Sequence, residues 1–139
     1  MNIPRFHLAF PVHDLEEARA FYTEILGCKL GRESDKWIDF DLYGHQIVAH
    51  LSPEDCTNIG TNPVDGDKIP SRHFGAILPW AKWESLCKII NKKNIAFLIK
   101  PRIRFKDVSG EQGTFFIKDP SGNALEFKSF RDDSDVFRK

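Results

Sequence analysis

Apolar and polar positions alternate at the start of the chain. Phe6, Leu8, Phe10 and Val12 fall on one face of a predicted strand, and His7 falls on the other. Asp14 with Glu17 three residues later predicts a capping box, in which each side chain satisfies a backbone donor at a helix start. Leu15, Ala18, Phe21, Tyr22 and Ile25 then make one helical stripe that stops at Gly27. Three strands are predicted next, over 29–32, 37–42 and 46–51. In the middle one Ile38, Phe40 and Leu42 alternate with Asp39 and Asp41, the pattern of a sheet that is wet on one side. Tyr43-Gly44-His45 reads as the turn before the last.

The second half repeats this order. Residues 72–78 read as a strand. Beyond Pro79, Trp80, Trp83, Leu86, Cys87 and Ile90 form a helical stripe, each position 65 residues after its counterpart in the first stripe. Strands follow over 96–99, 114–118 and 123–130. Asp119-Pro120-Ser121-Gly122 has the composition of a type I turn. Aligning Gly44 with Gly122 gives an offset of 78, so the second half carries an insertion, expected over 100–113. The expected class is therefore α+β, with two βαβββ modules in one domain over 1–139. Module one spans about 4–52 and module two about 71–130. Residues 53–70 are Pro-, Gly-, Asn- and Asp-rich and read as a structureless linker or lid. The charged segment 131–139 reads as a weakly ordered tail.

Composition narrows the function. The 139 residues carry 20 Lys+Arg and 20 Asp+Glu, a formal net charge of zero. Nothing attracts the whole protein to nucleic acid or to an anionic membrane, so neither is expected as a partner. No apolar run reaches membrane-span length, and the start lacks a signal-peptide pattern. Cys28, Cys56 and Cys87 form no Cys-x-x-Cys pair, which fits a reducing cytoplasm and argues against a disulfide framework or zinc knuckle. None has a matched base nearby in sequence, so thiol nucleophiles are not expected.

His7 and His73 sit on the first strand of each module, 66 residues apart, so the duplication makes them equivalent. A lone strand histidine is usually structural, but a matched pair can meet where two modules face each other. Glu126, on the last strand, shares a face with Ala124 and Lys128, opposite Leu125 and Phe127. A solvent-facing carboxylate is its ordinary reading. Two histidines and one carboxylate are also the facial set that leaves open positions on an Fe(II)-type ion.

The chain resembles the vicinal oxygen chelate superfamily, which includes glyoxalase I, bleomycin- and fosfomycin-resistance proteins and extradiol dioxygenases. The resemblance rests on three stretches: Phe6-His7-Leu8-Ala9-Phe10-Pro11-Val12 leading through Asp14 to Phe21-Tyr22 and Leu26-Gly27; Arg72-His73-Phe74-Gly75; and Asp119-Pro120-Ser121-Gly122-Asn123-Ala124-Leu125-Glu126-Phe127. The look is closest to small bacterial proteins described as extradiol-type dioxygenases. It implies the glyoxalase/bleomycin resistance/dioxygenase fold, whose paired modules form a curved, cup-like mixed sheet around one metal. It implies His7, His73 and Glu126 as metal ligands, a small-molecule substrate and a homodimer. Fe(II) is the first expectation for the ion, with Ni(II), Zn(II), Mn(II) and Co(II) as alternatives.

Subfamilies of the superfamily differ at the fourth strand. Glyoxalase-like members place a fourth ligand there, and dioxygenases do not. The Gly44–Gly122 alignment puts Val48 in the place of Glu126, whereas a two-residue slip would put His50 there. His50 is thus a fourth ligand, an acid or base beside the metal, or an exposed strand-end residue. Lys128 is a candidate to orient an anionic substrate, or else a snorkelling lysine. His13 and His45, beside turns, are expected to be solvated. Glu111 and Gln112 belong to a polar loop that could close over a site. Trp80 and Trp83 are expected in the helix core. Three functions follow: a dioxygenase-like enzyme, a glyoxalase-like lyase or isomerase using the metal as Lewis acid, and a non-catalytic small-ligand module of the resistance type.

Overall fold

Each alternating segment of the first half becomes a strand of one sheet in the computed structural model, which describes residues 3–56, 60–64 and 66–139. Strands β1 (His7–Val12), β2 (Lys29–Glu33), β3 (Trp37–Leu42) and β4 (His45–Leu51) take the order β1-β4-β3-β2. β1 runs parallel to β4, and the other pairings are antiparallel. Ile38, Phe40 and Leu42 are buried, while Asp41 on the alternate face is exposed. Helix α1 (Leu15–Ala20) starts where Asp14 accepts a hydrogen bond from the Glu17 N–H at 2.9 Å. Only half of the predicted capping box forms, because the Glu17 carboxylate pairs with His13 Nε2 at 2.7 Å. The helix is also not α-helical to its end. Phe21–Ile25 is a π-helical turn, with Leu26 N–H reaching Phe21 O at 3.2 Å. Phe21 and Tyr22 are adjacent and both buried, and a widened turn lets two neighbouring aromatics face the sheet together.

A hairpin follows, β5 (Thr61–Val64) with β6 (Asp67–Pro70). This corrects the reading of 53–70 as structureless, although 57–59 and 65 lie outside the described residues. The second sheet comprises β7 (Phe74–Ile77), β8 (Phe97–Arg104), β9 (Gln112–Lys118) and β10 (Ala124–Phe130), with helix α2 (Trp80–Lys92) after β7. Its order, β7-β10-β9-β8, repeats that of the first sheet, again with one parallel pair. β8 runs on to Arg104, through much of the segment expected to be an insertion. Register irregularities on either side of Ile99 let Pro101, which has no N–H to donate, stay in the strand.

The chain divides into two units, Met1–Asn58 with Asp119–Asn123, and Ile59–Lys118 with Ala124–Lys139. In the first, Tyr22 is fully buried against Phe10 and Phe40. Its hydroxyl donates to Asp119 Oδ2 at 2.8 Å. Asp119 Oδ1 also accepts from the N–H groups of Ser121 and Asn123, and the Asn123 amide donates to Pro11 O at 2.8 Å. The Asp-Pro-Ser-Gly-Asn turn is thus a clasp built around the buried Asp119, closed by the Gly122 N–H on Asp119 O with Gly122 at φ +86°. In the second unit Phe115, Phe127, Trp83, Leu86 and Ile90 are buried, and the Trp83 indole donates to Phe127 O at 2.9 Å. Trp80, expected in the core, is only half-buried and lies beneath the Arg131 guanidinium at 3.6 Å. The tail is anchored, contrary to expectation. Asp135 is buried in a short 3-10 turn, accepts from the Gly110 N–H at 2.8 Å and pairs with Arg138 at 2.8 Å. No helix among the described residues is long and apolar enough to cross a membrane.

Candidate metal centre

β10 sets the site by simple alternation. Leu125, Phe127 and Ser129 are fully buried, so Glu126, Lys128 and Phe130 project from the opposite face. On the neighbouring parallel strand Gly75 stands opposite Glu126, and on the antiparallel one Phe116 does. A Cβ on Gly75 would lie 1.7 Å from the Glu126 carbonyl oxygen, so this close approach of backbones requires glycine. His73 comes one residue before β7. Its ring meets Phe116 edge-on, with centroids 5.0 Å apart, and its Nε2 lies 3.4 Å from Glu126 Oε1. The structure thus brings His73 and Glu126 together, in a cavity of about 150 Å³ lined also by Gly75, Ile77 and Lys128.

Both side chains are oriented from behind. Pro70 O can only accept, so His73 Nδ1, 2.8 Å away, carries a proton, and Nε2 is the nitrogen that faces Glu126: it donates to the carboxylate when protonated and offers its lone pair to a ligand once that proton is lost. Thr114 is buried on β9 and donates its hydroxyl to Glu126 Oε2 at 2.5 Å. Burial pushes the Glu126 carboxyl up, but the hydrogen bonds from His73 and Thr114 outweigh it, and the net displacement is downward. The hydrogen bond to Glu126 raises His73, against a smaller lowering by burial. Sequence reasoning missed Thr114. The sequence carries no signal that singles it out, because its partner is set only by how β9 and β10 pair.

His7 lies in the first unit and is exposed on β1. Its Nδ1 is 2.8 Å from Gln46 Oε1, and the Gln46 amide donates in turn to Asp39 at 3.2 Å. The carboxylate thereby fixes which way Gln46 points, and the Gln46 oxygen takes the Nδ1 proton. Nε2 is again the nitrogen left to bind a ligand, as in His73. Among the described residues no group of three or more His, Cys, Asp or Glu side chains is gathered for a metal.

The strand registers settle the alignment of the modules. Ala9 stands opposite Val48, and Gly75 opposite Glu126. Val48 therefore occupies the position of Glu126, and it is buried. His50, exposed at the end of β4, is equivalent to Lys128, with Pro11 and Ile77 as their partners on the parallel strands. The other histidines are not simply solvated. His45 Nδ1 accepts from the Phe6 N–H at 2.9 Å, and His13 bonds Ser121 as well as Glu17. Glu111 holds Arg131 at 2.9 Å and the Asp107 N–H at 2.8 Å, while Gln112 is buried at the start of β9. All three cysteines are free. Burial pushes the Cys28 thiol up to about 12 and Cys87 to about 11, which leaves both unreactive.

A family model described as glyoxalase/bleomycin resistance protein/dioxygenase superfamily matches residues 6–127. The chain belongs to that superfamily. Among solved structures, a glyoxalase/bleomycin resistance protein/dioxygenase from Alicyclobacillus acidocaldarius is 37% identical, with a TM-score of 0.77 and 96% of each chain covered. The genomically encoded fosfomycin resistance protein of Listeria monocytogenes is 15% identical, with a TM-score of 0.67 over 93% of this chain and 94% of that one. Lactoylglutathione lyase from Agrobacterium tumefaciens is also 15% identical, at 0.64 over 91% and 92%. These last two share the fold. No curated protein matches the chain.

Proposed function

We propose that the chain is a metal-dependent enzyme of the extradiol-dioxygenase type, acting on a small substrate with two vicinal oxygens, with His7, His73 and Glu126 as its protein ligands. The observation that carries this reading is the His73–Glu126 pair, in which each side chain is held from behind by a group other than the ligand position. The donor set fits a divalent ion of the Fe(II) type: an imidazole nitrogen that can give up its proton to a metal, beside an ionised carboxylate. Such an ion, when bound, supplies Lewis acidity and open coordination positions. The chain's residues do the rest. Thr114 and Pro70 O keep the two donors in place, Phe116 walls the imidazole, and Lys128 presents a positive charge at the edge of the cavity. His50 is a candidate proton acceptor for the substrate. Val48 at the position of Glu126 favours three ligands over the four of a glyoxalase-like lyase. We place the protein in the cytoplasm, as a homodimer, on its free thiols and on its superfamily.

The test is anaerobic metal analysis followed by oxygen uptake. One ion per chain is expected in the wild type and in His50→Ala, and none in Glu126→Ala. The loaded protein then consumes oxygen with a catechol. Loss of metal in His50→Ala would instead point to the four-ligand lyase, and absence of oxygen uptake with any catechol would overturn the dioxygenase reading. Mixing His7→Ala with Glu126→Ala subunits asks whether His7 comes from a second copy, in which case the mixture regains metal.

A further inference from the structure

A second cluster of chemistry-bearing side chains lies where β1 passes into α1, wholly within the first unit. His13 precedes Asp14, the helix N-cap. Its Nε2 is 2.7 Å from the Glu17 carboxylate, one helical turn on, and its Nδ1 is 2.7 Å from Ser121 Oγ. The carboxylate can only accept, so in the neutral ring Nε2 carries the proton and Nδ1 turns its lone pair to the Ser121 hydroxyl. The His13 N–H donates to the same oxygen at 2.9 Å, which leaves the hydroxyl free to donate to the ring. Hydroxyl, base and orienting carboxylate are thus joined in one chain, the arrangement that activates a serine. The turn holds Ser121 firmly, because Asp119 accepts from the N–H groups of Ser121, Gly122 and Asn123. His13 and Glu17 remain open to solvent, with 43% and 54% of their side chains exposed. Cys56 is the neighbouring competitor, since its thiol also meets the Ser121 hydroxyl. Burial, and then the charge of Asp119, push that thiol up, and it donates to Ser52 O at 3.5 Å. Cys56 therefore stays a thiol, and the serine is the group that the histidine serves.

We propose that Ser121 is a nucleophile, with His13 as its base and Glu17 positioning that base, and that it transfers the acyl group of a small activated ester to water. Ser121 Oγ attacks the carbonyl carbon, and its proton passes to His13 Nδ1. The bond to the leaving oxygen breaks, and that oxygen takes the proton from the ring. Water then attacks the acyl-serine and gives a proton to His13, and Ser121 Oγ departs and recovers it. The sum is ester plus water to acid plus alcohol, with no oxidant, reductant or metal. The same turn sets the class of substrate. Its three N–H groups are spent on Asp119, so none of them is turned outward to hold a developing oxyanion. The leaving group must then carry much of the charge itself, which selects aryl esters over alkyl esters and amides. Ser121 is half-buried, which favours a short acyl group.

The test uses the full chain with no metal added. Exposed to para-nitrophenyl acetate, it should release nitrophenolate and acquire an acetyl group that peptide mass mapping places on Ser121. Acetyl groups found on lysines or cysteines, with Ser121 unlabelled, would overturn the proposal, and that outcome is read on the wild type without any variant. His13→Ala should slow acetylation of Ser121 roughly a hundredfold. An unchanged rate, in a variant whose circular dichroism matches the wild type, would remove the base and the proposal with it. Glu17→Ala should slow the step about tenfold, and Glu17→Asp should recover part of that loss, which a merely structural role for Glu17 would not produce. Cys56→Ala should be acetylated at Ser121 as fast as the wild type. Loss of the label in that variant would mean that the thiol is acylated first and the serine only by transfer from it, against the proposal. Ethyl acetate should give no turnover above the rate in buffer, and hydrolysis of it as fast as of the aryl ester would overturn the substrate class.

Discussion

The Thr114 hydroxyl has one task, to donate to Glu126 from a buried position on the adjacent strand. A hydrogen bond to a charged group is worth about 1.5–3 kcal/mol, and groups behind metal ligands typically tune affinity ten- to a hundredfold. Thr114→Val keeps the shape and removes the donor. We expect Glu126 to lose one of the influences that lower its pKa, and divalent-ion affinity to fall about tenfold in a chelator competition, with Thr114→Ser restoring it. An unchanged affinity in Thr114→Val would mean that Glu126 is not a ligand. Thr114 was illegible in the sequence for a definite reason. Its partner lies across a hairpin whose register depends on how β9 and β10 pair, and nothing in Gln112-Gly113-Thr114-Phe115 distinguishes it from an ordinary strand threonine. His73 and Glu126, which the structure brings together, could be picked out because one recurs at a matched position of the repeat and the other stands in a recognisable motif; His7 was picked by the same repeat and enters only through the proposed function.

At the scale of elements, the duplication was readable because both modules share the stripe of their helix and the turn before their last strand. The register that follows, with Val48 in the place of Glu126, comes from the glycines of those two turns. What the pattern missed lies where Pro and charge interrupt alternation. The β5–β6 hairpin has only Val64 and Ile69 as aliphatic residues among Thr, Asn, Pro, Asp and Lys, and all of β5 is exposed, so no apolar period marks it. It matters nonetheless, since it ends at Pro70, whose carbonyl fixes His73, and an ion pair between Asp67 and Arg102 fastens it to β8. The β7–β10 junction is the element most sensitive to change. Gly75→Ala would drive a methyl group into the Glu126 backbone and is expected to destabilise by about 3 kcal/mol or more in urea unfolding. Gly60→Ala, whose new Cβ meets only Ser71 Oγ at 3.5 Å, is the control and should change stability by less than about 1 kcal/mol. Equal effects would show that strand spacing at Glu126 is not constrained as described.

For the whole molecule, equal numbers of acids and bases mean that no general charge repulsion sets stability near neutral pH, so individual groups do. His73 and Glu126 are displaced in opposite directions. His73 is raised above 6.5, so its contribution is complete below that value and is lost as pH climbs through the folded-state pKa. Glu126 is lowered below 4.5, so its contribution is present above 4.5 and is lost as pH falls through its folded-state pKa. The metal-free protein should therefore gain most from the pair between about pH 4.5 and 6.5 and should lose some of that gain on the alkaline side. A divalent ion reverses the alkaline limb, because it needs the His73 nitrogen without its proton, and ligand binding to the folded state adds stability. Thermal unfolding with and without an ion such as Zn(II), followed from pH 5.5 to 8, should give curves that diverge as pH rises, with the metal-induced increase in Tm largest at the alkaline end. In Glu126→Gln the metal-free protein should lose its alkaline decline, and the ion should no longer raise Tm. Parallel curves in the wild type would show that the proton on His73 and the metal do not compete, and His73 would then have to be struck from the ligand set.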